Sequence, residues 1–121
     1  MLPLLKKPRL LLLDDDASMQ RLLALMLRRE GFCVDVVSTG RQAIEKIGRV
    51  DYDALLLDLM MPTEGGMTVI NHLREHEPRM LRRVVVVTAS PDSVLKKISK
   101  EVAAVVKKPV DAGELIAAIR K

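Results

Sequence analysis

Five short aliphatic runs, at residues 9–13, 32–37, 54–57, 83–88 and 103–107, punctuate the chain, and most lack the polar alternation of a strand with one face in water. A run of that kind reads as a strand covered on both faces, which belongs to a parallel sheet with helices above and below. Between the runs, apolar residues recur at helical spacing: Met19, Leu22, Leu23, Met26 and Leu27, then Ala43, Ile44, Ile47 and Val50, then Val69, Ile70 and Leu73. Val94, Leu95, Ile98 and Val102 form a shorter stripe, and Leu115, Ile116 and Ile119 form the last. Strand and helix therefore alternate five times, and this predicts an α/β doubly wound parallel sheet with helices on both faces.

Local signals set the boundaries. Ser18 is placed to cap the first helix and Gly31 to end it in a left-handed turn. Ser38 or Thr39 opens the second helix, and Pro91-Asp92 the fourth. Gly65-Gly66 permits a tight turn, Pro78 stops the third helix, and Asp111 to Glu114 has the form of a capping box. The second strand carries Asp35 in its middle and so belongs near an edge.

Composition narrows the class. At 121 residues the chain suits one domain, and with only Phe32 and Tyr52 aromatic the core must be aliphatic. A net charge of +4 is spread among acids without interleaved aromatics, which argues against direct nucleic-acid contact. No segment has the roughly 20 apolar residues of a membrane span. Residues 1–8, proline-broken and without the order of a signal peptide, read as a loose leader to a domain at 9–121. Cys33 cannot form an internal disulfide and reads as a buried, reduced thiol of a cytoplasmic protein.

What points to chemistry is how the strands end. The first runs into Asp14-Asp15, the third into Asp58, the fourth into Thr88 and the fifth into Lys108-Pro109. In a parallel sheet these ends lie on one side, where open α/β sheets bind ligands. Three crowded carboxylates call for a cation, and hard oxygens with room for water suit Mg2+. A lysine and a hydroxyl around the same point suit a phosphoryl group.

From about Arg9 to Lys121 the chain resembles a response-regulator receiver domain of two-component signalling. Acidic pair, central aspartate, threonine followed by a small residue, and lysine occur in order, with Met61-Pro62 and Gly66 also in place. The resemblance implies a flavodoxin-like five-stranded sheet of order 2-1-3-4-5. It implies that Asp58 is the phosphoacceptor, that Thr88 and Ala89 form the switch, and that Lys108 pairs with the carboxylate or phosphoryl group. Mg2+ is then held by Asp15, Asp58 and the main-chain carbonyl of Met60, with Asp14 acting through water. The donor is a histidine kinase or histidine phosphotransfer protein, and the output is a downstream protein target or effector domain. The Lys108-Pro109 bond is expected to be cis, aiming the lysine inward. Self-phosphorylation and self-dephosphorylation are the whole of the expected chemistry, and the latter is expected to be slow because neither Met60 nor Ser90 offers a carboxylate or amide to orient water.

Three features depart from the family pattern or stay outside it. The family's inward-turning aromatic is replaced at the switch position by Val105. The interval from Thr88 to Lys108 is about two residues short, which predicts a curtailed fourth helix or loop. His72 and His76, four apart on a helix, have a spacing that can bind zinc, and without a third ligand in view they read as a solvent-facing pair. Met19, Met26, Met60, Met61 and Met67 read as core filler, and Lys96, Lys97 and Lys100 as a solvated face.

Two other functions compete. Residues 13–18 resemble the nucleophile strand of haloacid-dehalogenase-like phosphatases, with Asp14 attacking and Asp16 as acid, but such enzymes need more chain and leave Asp58 and Lys108 unexplained. An unphosphorylated receiver-like adaptor would have no need of Asp15, Asp58 and Lys108. With no DNA-binding region in the sequence, the chain reads as a stand-alone receiver or an excised domain.

Overall fold

The computed structural model describes residues 7–61, 64–89 and 92–120. Most of the leader, together with Pro62, Thr63, Ser90, Pro91 and Lys121, lies outside the described residues, so the expectations placed on these residues are not addressed by it.

The order of elements is β1 (Arg9–Leu13), α1 (Ala17–Arg29), β2 (Cys33–Val37), α2 (Gly40–Ile47), β3 (Ala54–Leu57), α3 (Gly66–His76), a 3-10 turn (Pro78–Arg83), β4 (Val84–Thr88), α4 (Asp92–Ile98), β5 (Ala104–Lys107) and α5 (Ala112–Ile119). All strand pairings are parallel, and the sheet order is β2-β1-β3-β4-β5. The chain thus winds outward twice from β1, with the order reversing between β1 and β3.

Because side chains alternate along a strand, each run of leucine or valine feeds two cores. Leu11, Leu13, Leu55, Leu57, Val84 and Val86 face α2, α3 and α4, where Ala43, Val69, Ile70, Leu73, Leu95 and Ile98 meet them. Leu10, Leu12, Leu56, Val85, Val87 and Val106 face α1 and α5 and pack on Leu23, Ala24, Leu27 and Leu115. Each such side chain contributes roughly 1.5–3 kcal/mol by leaving water, which is why the unalternating pattern is read so directly.

The edge position of β2 agrees with the partly buried charge it carries. Asp35 Oδ2 accepts a 2.7 Å hydrogen bond from the hydroxyl of fully buried Tyr52 and a 3.2 Å bond from Arg9 Nε. Partial burial works against the Asp35 charge, but these two donors outweigh it and hold the carboxyl below its ordinary range.

Some local expectations are met and others corrected. Asp16, not Ser18, caps α1, accepting from the Met19 amide. Thr39 caps α2 in a reciprocal box with Gln42, and Gly31 has φ of 94° as a left-handed helix end requires. Leu22 is 52% exposed rather than inward, Met60 is 58% exposed rather than core, and Cys33 is exposed rather than buried. Pro78 does more than stop α3: it opens the 3-10 turn. The fourth helix is short, at 7 residues, and Lys96, Lys97 and Lys100 are exposed as expected.

Candidate functional site

Hydrogen bonds of the sheet continue one residue past the strands and fix where the polar residues begin. Asp14 N donates to Val37 O, Asp58 N to Leu13 O, and Lys108 N to Thr88 O at 2.9 Å. Asp14, Asp58 and Lys108 are therefore held in line at the C-terminal edge of the sheet, next to the point where strand order reverses.

Their side chains meet there. Lys108 Nζ lies 3.1 Å from Asp58 Oδ2 and 3.2 Å from Asp14 Oδ2. The two carboxylates are almost fully buried, with side chains 5% and 2% exposed, whereas Asp15 is open to solvent. Burial opposes the Lys108 charge, yet the hydrogen bonds and negative charges of Asp58 and then Asp14 prevail and raise its pKa above the ordinary lysine value. Asp14, Asp15 and Asp58 each offer an oxygen within 4.8 Å of the others. Two lodged carboxylates and one exposed one form a hard, oxygen-rich cup that could hold a divalent cation.

Main-chain groups complete the setting. Met60 N donates 3.0 Å to Asp58 Oδ1, and Asp16 N donates 2.9 Å to Asp14 Oδ1. The amide of Gly66 donates 2.7 Å to the carbonyl of Asp58, and a Cβ at that position would fall 2.6 Å from the same oxygen. Only glycine lets α3 start that close to the strand end.

Other expected positions lie around this cluster. Thr88 is fully buried at the end of β4, registered against Lys107, and Ala89 after it is exposed. Val105 is not in the cluster but half-buried against the α2, α3 and α4 side of the core. The Lys108-Pro109 bond is cis. Gln20 is a neighbour that the sequence did not single out: its amide donates to Asp14 O and, at 3.0 Å, to Ser38 Oγ. It ties the acidic loop to the loop after β2, and only its place just after the acidic triplet could have signalled this.

An all-parallel 2-1-3-4-5 sheet whose C-terminal edge gathers three carboxylates and a lysine defines the receiver class of signalling domain. The chain belongs to the response regulator receiver domain family, whose model matches residues 10–120. It is similar to the sensory transduction protein RegX3 of Mycobacterium tuberculosis, 39% identical over 112 residues that cover 91% of this chain and 48% of that protein. The DNA-binding response regulator MtrA of the same organism is 35% identical over 116 residues, covering 94% of this chain and 50% of the relative. The chain thus spans about half the length of the curated relatives it matches. Among solved structures, a sensor protein from Polaromonas sp. JS666 superposes with a TM-score of 0.83 at 33% identity, covering 95% of this chain and 94% of the other.

The protein is therefore a receiver domain of a two-component response regulator, a family whose members take phosphoryl groups from kinases and act on downstream targets. A haloacid-dehalogenase-like phosphatase is not favoured, since the relatives are response regulators and Asp14 is committed to Lys108. Among the described residues no helix is long and apolar enough to cross a membrane.

Proposed function

We propose that this receiver is switched by phosphorylation of Asp58, the phosphoryl group coming from the phosphohistidine of a histidine kinase or histidine phosphotransfer protein. The observation that carries the reading is the single ammonium of Lys108 shared by Asp58 and Asp14, with the exposed carboxylate of Asp15 beside them. An Asp58 oxygen attacks phosphorus, the bond from phosphorus to the donor's imidazole nitrogen breaks, and the imidazole departs with the bonding pair. Phosphoryl transfer asks the protein chiefly for position and charge neutralisation, and a fixed carboxylate beside a fixed cation supplies both.

Asp15, Asp58 and the Met60 carbonyl would hold Mg2+ directly, with Asp14 acting through water. When bound, it neutralises the carboxylates and the phosphoryl oxygens. Lys108 keeps its proton and passes its hydrogen bond from the Asp58 carboxylate to a phosphoryl oxygen, and the Thr88 hydroxyl is drawn to the same group. With Val105 where the family carries a ring, the change leaves through the main chain around Thr88, Ala89 and Lys108 rather than through a side-chain flip. Residues 9–121 act as the receiver and residues 1–8 as its leader, in the cytoplasm. The receiver itself contacts a protein target or an attached effector domain rather than a membrane or nucleic acid, although an effector of the kind named by MtrA's description would bind DNA.

Mass spectrometry after exposure to a small phosphodonor with Mg2+ tests this. One phosphoryl adduct is expected on the native chain and none on Asp58→Asn; an adduct that survives the substitution sinks the assignment. The adduct decays slowly, because exposed Met60 offers no group to orient water, and Met60→Asn shortens its lifetime.

A further inference from the structure

Two side chains of a different chemistry lie on α3. His72 and His76 sit one helical turn apart, and their ring centroids are 4.6 Å apart with the planes tilted by 40°. Residues four apart share a helix face, whereas Arg74 between them points elsewhere and is engaged by Glu101 at 2.7 Å. Two imidazoles bound to one ion at about 2.0–2.1 Å, at angles from square to tetrahedral, have ring centres about 4.5–5.2 Å apart. The observed centroid separation falls in that interval, near its square end. Glu75 places a carboxylate 3.8 Å from His76 Nε2, near enough to offset a cation's charge. His76 also lies in the last turn of α3, where the helix dipole favours a cation.

We propose that His72 and His76 form a two-imidazole site for a borderline divalent transition metal, Zn2+, Cu2+ or Ni2+, separate from the acidic cup around Asp58. Nitrogen donors select these ions over Mg2+, and carboxylate oxygens do the reverse, so the two sites sort cations by ligand type. The order His72-Leu73-Arg74-Glu75-His76 is that of a zinc-binding helix. Here, though, the only group of three or more possible ligands among the described residues is the acidic one. The remaining coordination positions are therefore filled by water, and the site binds without hydrolysing.

Calorimetric titration of the full chain with ZnCl2, in excess Mg2+ to fill the acidic cup, tests the site. One equivalent is expected, with affinity reduced at least about tenfold in His72→Ala and in His76→Ala and retained in Asp58→Asn. Shifts of both imidazole resonances on adding Zn2+ are the second expected reading, and circular dichroism confirms that the variants fold. The proposal is overturned if Zn2+ binds equally to both histidine variants, as exposed Cys33 or the carboxylates would allow, or if the native chain takes up none. A failure at Asp58 leaves this test intact, because it does not use phosphorylation.

Discussion

Lys108 and Asp58, 50 residues apart in sequence, meet with the ammonium 3.1 Å from the carboxylate, and the same nitrogen also serves Asp14. Two buried carboxylates are thus held side by side by one cation. Replacing it, as in Lys108→Met, leaves them facing each other uncompensated. In metal-free buffer the substitution is expected to cost about 1–3 kcal/mol in urea unfolding, with much of the loss recovered on adding Mg2+. Equal stability of the two proteins without metal would contradict the pairing.

Adding Mg2+ should stabilise the native chain, since the acidic cup exists only when folded. The gain follows the ratio of free metal to Kd and reaches about 2.7 kcal/mol at a hundredfold excess over Kd. Asp15→Asn removes the one exposed carboxylate of the three and should abolish most of this gain while leaving the metal-free melting temperature nearly unchanged. Thermal melts across a Mg2+ series read both quantities.

Acid should weaken the pairing of Asp35 with Tyr52 and Arg9. The Asp35 pKa is lowered by folding, so its contribution is fully present above the unfolded value of about 3.9 and disappears as pH falls through the lower folded value. Tyr52→Phe removes the 2.7 Å donor and should cost about 0.5–1.5 kcal/mol at pH 7. The Asp35 side chain is 26% exposed, so the lower half of that range is the expectation. Denaturant unfolding at pH 7 and below pH 3 should show the difference between the two proteins shrinking in acid.

Gly66→Ala should damage both fold and site. Its Cβ would lie 2.6 Å from the Asp58 carbonyl, so helix and strand end must separate, at a cost of about 1–3 kcal/mol. Weaker Mg2+ binding by the folded variant is the accompanying result, measured by calorimetry. Unchanged affinity would show that the strand end tolerates the shift.

The sheet and its acidic edge were legible because both rest on short-range patterns. Unbroken aliphatic runs specify doubly covered strands, and parallel topology then gathers whatever follows them, so Asp14, Asp58 and Lys108 could be brought together on paper. Finer placement depends on angles that periodicity does not define. The apolar stripe of α1 is wider than its contact, which centres on Leu23, Ala24 and Leu27 and leaves Leu22 on the flank. Asp16 and Ser18 are both good caps, and the choice between them turns on where the strand's last hydrogen bond falls. The exposure of Cys33 did have a signal: it shares its strand face with Asp35, two residues on, which is solvated in part. Gln20 had only its closeness to the acidic triplet, because its second partner, Ser38, lies 18 residues on in another loop.

One contact made by the helix that follows β3 reaches beyond stability. Because α3 rests by its first amide on the carbonyl of Asp58, and runs from Gly66 to His76, it is a rod of roughly 16 Å with one foot on Asp58. A tilt imposed at that foot would be felt most at the far end of the helix, where Arg74 meets Glu101.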